Sequence, residues 1–130
     1  MPKAIQISAA EWDVMEAVWD AGPCTAAAVI ELLSVTHDWN HRTIRTLLAR
    51  LIEKGALKYE VNGTSYIYQA AVSRKQCVRE ESRSFVKKIF RGNVRELLAH
   101  FVEEETITTD ELRELRKLLD QKQSRGRKNR

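Results

Sequence analysis

From Ile44 onward, apolar residues fall at Ile44, Leu47, Leu48, Leu51 and Ile52, the i, i+3, i+4, i+7, i+8 spacing of one helical face. Asn40 just before this stretch is a good N-cap, and Gly55 just after it suits the left-handed C′ position. A helix over 41–54 is thus specified at both ends and along one side. Two β-prone runs follow, Leu57–Val61 and Ser65–Gln69, with Asn62-Gly63 between them. Asn-Gly is the strongest short-range hairpin signal, and Thr64 allows a two-residue loop or a slightly longer one.

Upstream, Ser8-Ala9-Ala10-Glu11 has the form of a capping box, with Ile7 and Trp12 placed as a hydrophobic staple. The helix this opens, about 9–20, puts Trp12, Met15, Val18 and Trp19 on one stripe before Gly22-Pro23 stops it. Thr25 caps a second helix, about 26–34, that offers Val29, Leu32 and Leu33 to a core. Trp39 is read as a core or staple residue that aims the third helix. Three helices followed by a hairpin is the order of a winged helix-turn-helix, here over residues 1–72.

The remainder reads as a helical domain over 73–123 and a basic, disordered tail over 124–130. Helices are expected at about 74–91, 94–104 and 109–122, the last opened by the capping box Thr108-Thr109-Asp110-Glu111. Their apolar residues form narrow stripes that include Val78, Phe85, Ile89, Phe90, Leu97, Leu98, Phe101, Leu112, Leu115, Leu118 and Leu119. Some 50 residues with so few large apolar side chains are marginal alone. A second copy of the chain is the simplest cover, so these positions are expected to form a homodimer interface. The fold class is mainly α: a winged helix-turn-helix followed by an α-helical dimerisation domain.

The net charge of +4 is mild, but its distribution is informative. Residues 39–58 hold Arg42, Arg45, Arg50, Lys54 and Lys58 against Glu53 alone. Residues 74–95 carry +6, residues 96–120 carry −5, and the last ten residues carry +5. No apolar run approaches the roughly 20 residues that span a bilayer, and Met1-Pro2-Lys3-Ala4-Ile5-Gln6 lacks a signal-peptide core. A cytoplasmic protein without membrane insertion is expected. Cys24 and Cys77 are read as free packing thiols.

Opposite its apolar stripe the third helix presents His41, Arg42, Thr43, Arg45, Thr46 and Arg50. Arg42 and Arg45 can reach guanine bidentately, and Thr43 and Thr46 suit a thymine methyl or a hydrogen bond to base or phosphate. Arg50 suits a phosphate, as do the free N–H groups of the first turn. A solvated polar face is the plainer reading of any such helix; the preceding short helix, the hairpin and the scarcity of acids favour double-stranded DNA. The wing adds Lys58, Asn62, Thr64, Ser65 and Tyr66 for the sugar-phosphate backbone.

The run Asp38-Trp39-Asn40-His41-Arg42-Thr43-Ile44-Arg45-Thr46-Leu47-Leu48-Ala49-Arg50-Leu51-Ile52-Glu53-Lys54-Gly55 resembles the recognition segment of the penicillinase-repressor family, of BlaI and MecI type, to which the CopY repressors are related. Ile7 to Met15 and Phe101-Val102-Glu103-Glu104-Glu105 look like the same family, and the likeness covers about 5–122. It implies a homodimeric repressor on dyad operators with TACA/TGTA-type half-sites, acting on β-lactamase or penicillin-resistance genes. It also implies release by cleavage between His100 and Phe101, started by a membrane sensor-protease; the family commonly has Asn where this chain has His100. CopY-type proteins bind metal through C-terminal Cys-x-Cys pairs, and this chain has no cysteine after Cys77.

An enzyme finds no support. There is no Cys-x-x-Cys, His-Glu-x-x-His or glycine-rich phosphate loop, and His37, His41 and His100 share no ligand spacing with the cysteines. No cofactor or metal is expected. Two alternatives stay open: a winged-helix module that binds protein, and a repressor of the same family answering a different signal.

Overall fold

The computed structural model describes residues 5–128, with side chains to residue 126. The elements are α1 (Ala9–Ala21), α2 (Ala26–Ser34), α3 (His41–Lys54), β1 (Leu57–Asn62), β2 (Ser65–Ala70), α4 (Arg74–Phe90), α5 (Val94–Glu103) and α6 (Thr109–Lys128). They fall into two compact units, one up to Ser82 and one from Arg83 onward.

In the first unit, local chemistry sets each helix start. Ser8 and Glu11 exchange both bonds of a capping box, Ser8 N–H donating to Glu11 Oε1 at 2.8 Å and Glu11 N–H to Ser8 Oγ at 3.2 Å. Thr25 Oγ1 accepts from Ala28 N–H at 3.2 Å, and Asn40 Oδ1 accepts from Thr43 N–H at 2.8 Å. Gly55 ends α3 at φ +84°, where a Cβ would be strained. Met15 and Val18 of α1, Val29 and Leu33 of α2, Ile44, Leu48 and Leu51 of α3, and Leu57 of β1 close one core.

That core differs from expectation in its large residues. Leu32 is exposed, and Trp12, Trp19 and Trp39 are only partly buried. The buried face of α1 runs through Glu11, Val14, Met15 and Val18, rotated from the predicted tryptophan stripe. Indole N–H groups explain the shift, because each needs a partner near the rim. Trp12 Nε1 donates to Glu16 Oε1 at 3.0 Å and Trp19 Nε1 to the Val72 carbonyl at 3.0 Å.

The hairpin pairs Leu57 with Ala70 through to Asn62 with Ser65, so its loop is Gly63-Thr64 and Asn62 closes the ladder. Gly63 has φ +65° and Thr64 does not share the left-handed region, the pattern of a type II′ turn. A further pairing was not evident from periodicity. Cys24 bridges Tyr68, with Cys24 N–H to Tyr68 O at 3.0 Å and Tyr68 N–H to Cys24 O at 2.7 Å.

The expected boundary at residue 73 moves to Ser82. The first turns of α4 belong with the winged-helix unit because Cys77 is buried and Arg74 Nε lies 2.9 Å from Glu16 Oε1 of α1. Val78, expected in the dimerisation domain, therefore lies in the first unit. In the second unit, Asn93 Oδ1 caps α5 through Glu96 N–H at 3.0 Å, and Thr108 and Glu111 form the predicted capping box. Helix α6 continues to Lys128, past the expected end near 122 and through most of the predicted disordered tail. Gln121, Lys122, Gln123 and Arg125 are good helix formers, and Gly126 costs only about 1 kcal/mol against alanine. Residues 129 and 130 of that tail lie outside the described residues.

Candidate nucleic-acid interface

Helix α3 buries Ile44, Leu47, Leu48 and Leu51 and leaves His41, Arg42, Thr43, Arg45, Thr46, Ala49 and Arg50 exposed. Every predicted base or phosphate contact on this helix is therefore on its open side. Among the described residues, Arg42, Arg45 and Arg50 take part in no salt bridge. Their guanidinium groups keep all donors available for an incoming acceptor. Thr46 is more restricted than expected. Its hydroxyl donates to the Arg42 carbonyl at 2.9 Å, so outward it offers a methyl group and lone pairs but no proton.

The start of α3 is held from below. Trp39, beside the cap, packs on the core and lies 4.1 Å from the His37 ring. His37 Nε2 stands 3.0 Å from Asp13 Oδ2, and its Nδ1 lies 2.8 Å from Thr36 Oγ1. One neutral tautomer serves both, donating to the carboxylate and accepting from the hydroxyl. This fastening of α1 to the turn before α3 has no periodic signal in the sequence.

Lys54 belongs to this cationic stretch in sequence, but its side chain turns away from it. Its Nζ donates to Glu11 Oε1 at 2.6 Å and to the Gln6 carbonyl at 2.8 Å. Burial pushes the Glu11 carboxyl up; hydrogen bonds from Lys54 and Ser8 and the Lys54 charge outweigh this and hold it below its ordinary 4.5.

The pleat of the wing divides its predicted contacts. Lys58, Asn62 and Ser65 share one face of the hairpin, while Tyr66 falls on the other with Tyr59 and Tyr68. Thr64 stands at the tip, and all five predicted residues are exposed. The Tyr59 and Tyr66 rings pack at a tilt of 45° with centroids 4.8 Å apart. Burial raises the Tyr68 hydroxyl above its ordinary 10.0, opposed by the nearby charge of Arg45.

Burial pushes both thiols up, aided at Cys77 by Glu80 and Glu81, so neither is activated as a nucleophile. Among the described residues no three His, Cys, Asp or Glu side chains are grouped to hold a metal, and no helix is long and apolar enough to cross a membrane.

The predicted interface positions of the second unit are uncovered. Phe85, Ile89, Leu98, Phe101, Leu112, Leu115, Leu118 and Leu119 are exposed, and Phe90 and Leu97 are half-buried. His100 and Phe101 lie within α5, their rings 5.6 Å apart.

A capped third helix with an open arginine face, two helices beneath it and a hairpin beside it define a winged helix-turn-helix protein. Residues 7–121 match the family described as Penicillinase repressor. The chain belongs to that family. It is 34% identical over 120 residues to the methicillin resistance regulatory protein MecI of Mammaliicoccus sciuri, covering 92% of this chain and 98% of that protein. It is 32% identical over 125 residues to a penicillinase repressor of Bacillus licheniformis, covering 96% and 98%. The solution structure of monomeric Bacillus licheniformis BlaI in complex with the blaP half-operator superimposes with a TM-score of 0.51 at 38% identity, over 58% of this chain and 93% of that one.

Proposed function

We propose that the chain is a homodimeric, sequence-specific DNA-binding repressor of β-lactamase or penicillin-resistance type genes. The observation that carries this is the exposure of Arg42, Arg45 and Arg50 on the outer side of α3, free of salt bridges among the described residues. Such a helix enters a major groove, with Arg42 and Arg45 reading guanine edges while Arg50, the first turn of α3 and the wing hold phosphates. The BlaI complex with a half-operator supports a duplex as the ligand, and the names of the relatives support the class of gene. A cytoplasmic location, where such a repressor would meet its operator, fits this reading.

The second copy covers the apolar side of α5 and α6. In one protomer that side forms a groove of about 750 Å³ whose apolar wall is Leu98, Val102, Ile107, Leu112, Leu115 and Leu119, edged by Arg113, Arg116 and Asp120. Exposed apolar surface of this kind marks an interface. Joining two half-site domains raises the effective concentration of each at a dyad operator.

Release follows from cutting between His100 and Phe101, started by a membrane sensor-protease that responds to a β-lactam. The bond is helical, so α5 opens before a protease accommodates it. No residue of α5 is fully buried within the protomer, which keeps that opening inexpensive. The cut detaches α6 and dismantles the interface.

The test is fluorescence anisotropy with a duplex carrying inverted TACA/TGTA half-sites and with a scrambled duplex, across a salt series. The expected result is preference for the dyad and affinity that falls steeply with salt. Binding indifferent to both sequence and salt contradicts the proposal.

A further inference from the structure

From Thr109 to Gly126 every side chain of α6 is exposed, although Leu112, Leu115, Leu118 and Leu119 lie along it. A helix gains most of its stability from packing an apolar face, so these leucines call for a partner helix. Leu112, Leu115 and Leu119 recur at i, i+3 and i+7, the spacing of a seam between two helices, and Lys122 takes the next place on that seam. Along one flank of the seam, Glu111, Leu118 and Arg125 recur every seven residues. Acids in the first turn and bases in the last complement the helix dipole, but the dipole does not require them to share a flank. Glu111 and Arg125 stand about 21 Å apart along the axis, too far to pair within one helix.

Both ends of this flank keep bonding capacity. Glu111 Oε1 accepts the Thr108 N–H at 3.0 Å, which leaves Oε2 for another donor. Lys122 and Arg125 take part in no salt bridge among the described residues. With Leu118, Gln121 and Gly126 they line a hollow of about 520 Å³ that has no acidic group. Charge selects the occupant and its direction. A parallel second copy would set Lys122 against its own equivalent in the seam. An antiparallel copy sets Leu115 against Leu119, lays the Lys122 stem on Leu112 of the second copy, and brings that copy's first turn into the cationic hollow. Leu118 then meets its own equivalent at the two-fold axis. On the other flank the two Arg116 side chains approach, each with Asp120 one turn away to offset the repulsion. We propose that α6 pairs antiparallel with α6 of a second copy, Glu111 of each accepting from Arg125 of the other. The proposal rests on the chain being a homodimer and adds the charge pair that sets the direction of its seam.

The test is sedimentation equilibrium of the full chain carrying Glu111→Lys, Arg125→Glu or both. Each single change sets like charges across both contacts of the pair, so at low salt the dimer dissociation constant should rise about tenfold. The double variant restores opposite charges at both contacts, and so does an equimolar mixture of the two single variants. Both should return to within about twofold of the wild type, and the differences should shrink as salt screens the pair. Glu111→Lys also removes half of the capping box, which circular dichroism follows. Recovery on mixing separates that loss from loss of the pair, because a second chain does not restore a cap. Weakening by both single changes without recovery overturns the proposal. So does weakening by Glu111→Lys alone, since Arg116 is then its partner and the helices run parallel. Full-strength dimers of both single variants overturn it as well. A wild type that stays single at every concentration strikes the homodimer reading itself, and this contact with it.

Discussion

Lys54 Nζ, at the last residue of α3, lies 2.6 Å from Glu11 Oε1 in the first turn of α1. The Glu11 side chain is almost wholly buried, and its Oε2 has no hydrogen-bond partner among the described residues. The pair fixes the far end of α3 to the scaffold, while the bond between His37 and Asp13 fastens the turn ahead of its near end. Between these fastenings the arginine face is held at a set angle.

Removing the lysine leaves a buried carboxylate without its counter-charge, the costly way to break such a pair. Lys54→Met is expected to lower stability by about 2–3 kcal/mol at pH 7, below the range for fully buried pairs because Lys54 is partly solvated. Urea denaturation measures this. Glu11 is held below its ordinary 4.5 in the folded protein, so its contribution is complete above that value and disappears as pH falls through the lower, folded one. The stability difference between the wild type and Glu11→Gln should therefore narrow in acid below about pH 4.5. A difference that is flat across that range rejects the linkage.

Arg45→Ala should cost about 1–3 kcal/mol of dyad affinity and relax preference at one base pair. Competition among single-base operator variants reads this out. An equal loss on random-sequence DNA makes Arg45 a phosphate contact instead.

Asn40→Ala removes the acceptor for Thr43 N–H and should destabilise the first unit by about 1 kcal/mol. Thermal denaturation measures the loss. Dyad affinity should fall as well, because Arg42 and Thr43 stand in the turn that the cap organises. Full affinity with reduced stability separates capping from DNA recognition.

Phe101→Asp places a charge on the side of α5 proposed to meet a second copy, where an unpaired carboxylate is unfavourable. Sedimentation equilibrium should show a weaker dimer, with the circular dichroism of the winged-helix unit retained. A dimer of unchanged strength removes Phe101 from the interface.

Features governed by neighbouring residues were readable in advance. The limits of α2 and α3 match the expected ranges because Thr25, Asn40 and Gly55 act within one turn of themselves. The outward face of α3 followed from the spacing of Ile44 to Leu51. Features joining distant residues were not readable. Lys54 and Glu11 are 43 positions apart, and nothing in the run around Lys54 shows that this cation turns inward while Arg50 does not. The bridge between Cys24 and Tyr68 likewise depends on how the wing folds back. The wing contacts were named by residue type, but the register, through its alternation of faces, sends Tyr66 to the side opposite Lys58, Asn62 and Ser65. The lack of apolar residues in the tail bears on packing and not on whether a helix already begun at Thr109 continues.

The most direct measurement is an NMR titration of the isotope-labelled full chain with a duplex bearing the inverted TACA/TGTA half-sites. Amide shifts should concentrate at His41 to Arg50, with a second, weaker set at the wing tip around Asn62 to Ser65. Saturation should come at two protomers per duplex. Shifts that spare Arg42 to Thr46, or saturation by a single protomer, would contradict a paired, arginine-bearing recognition helix.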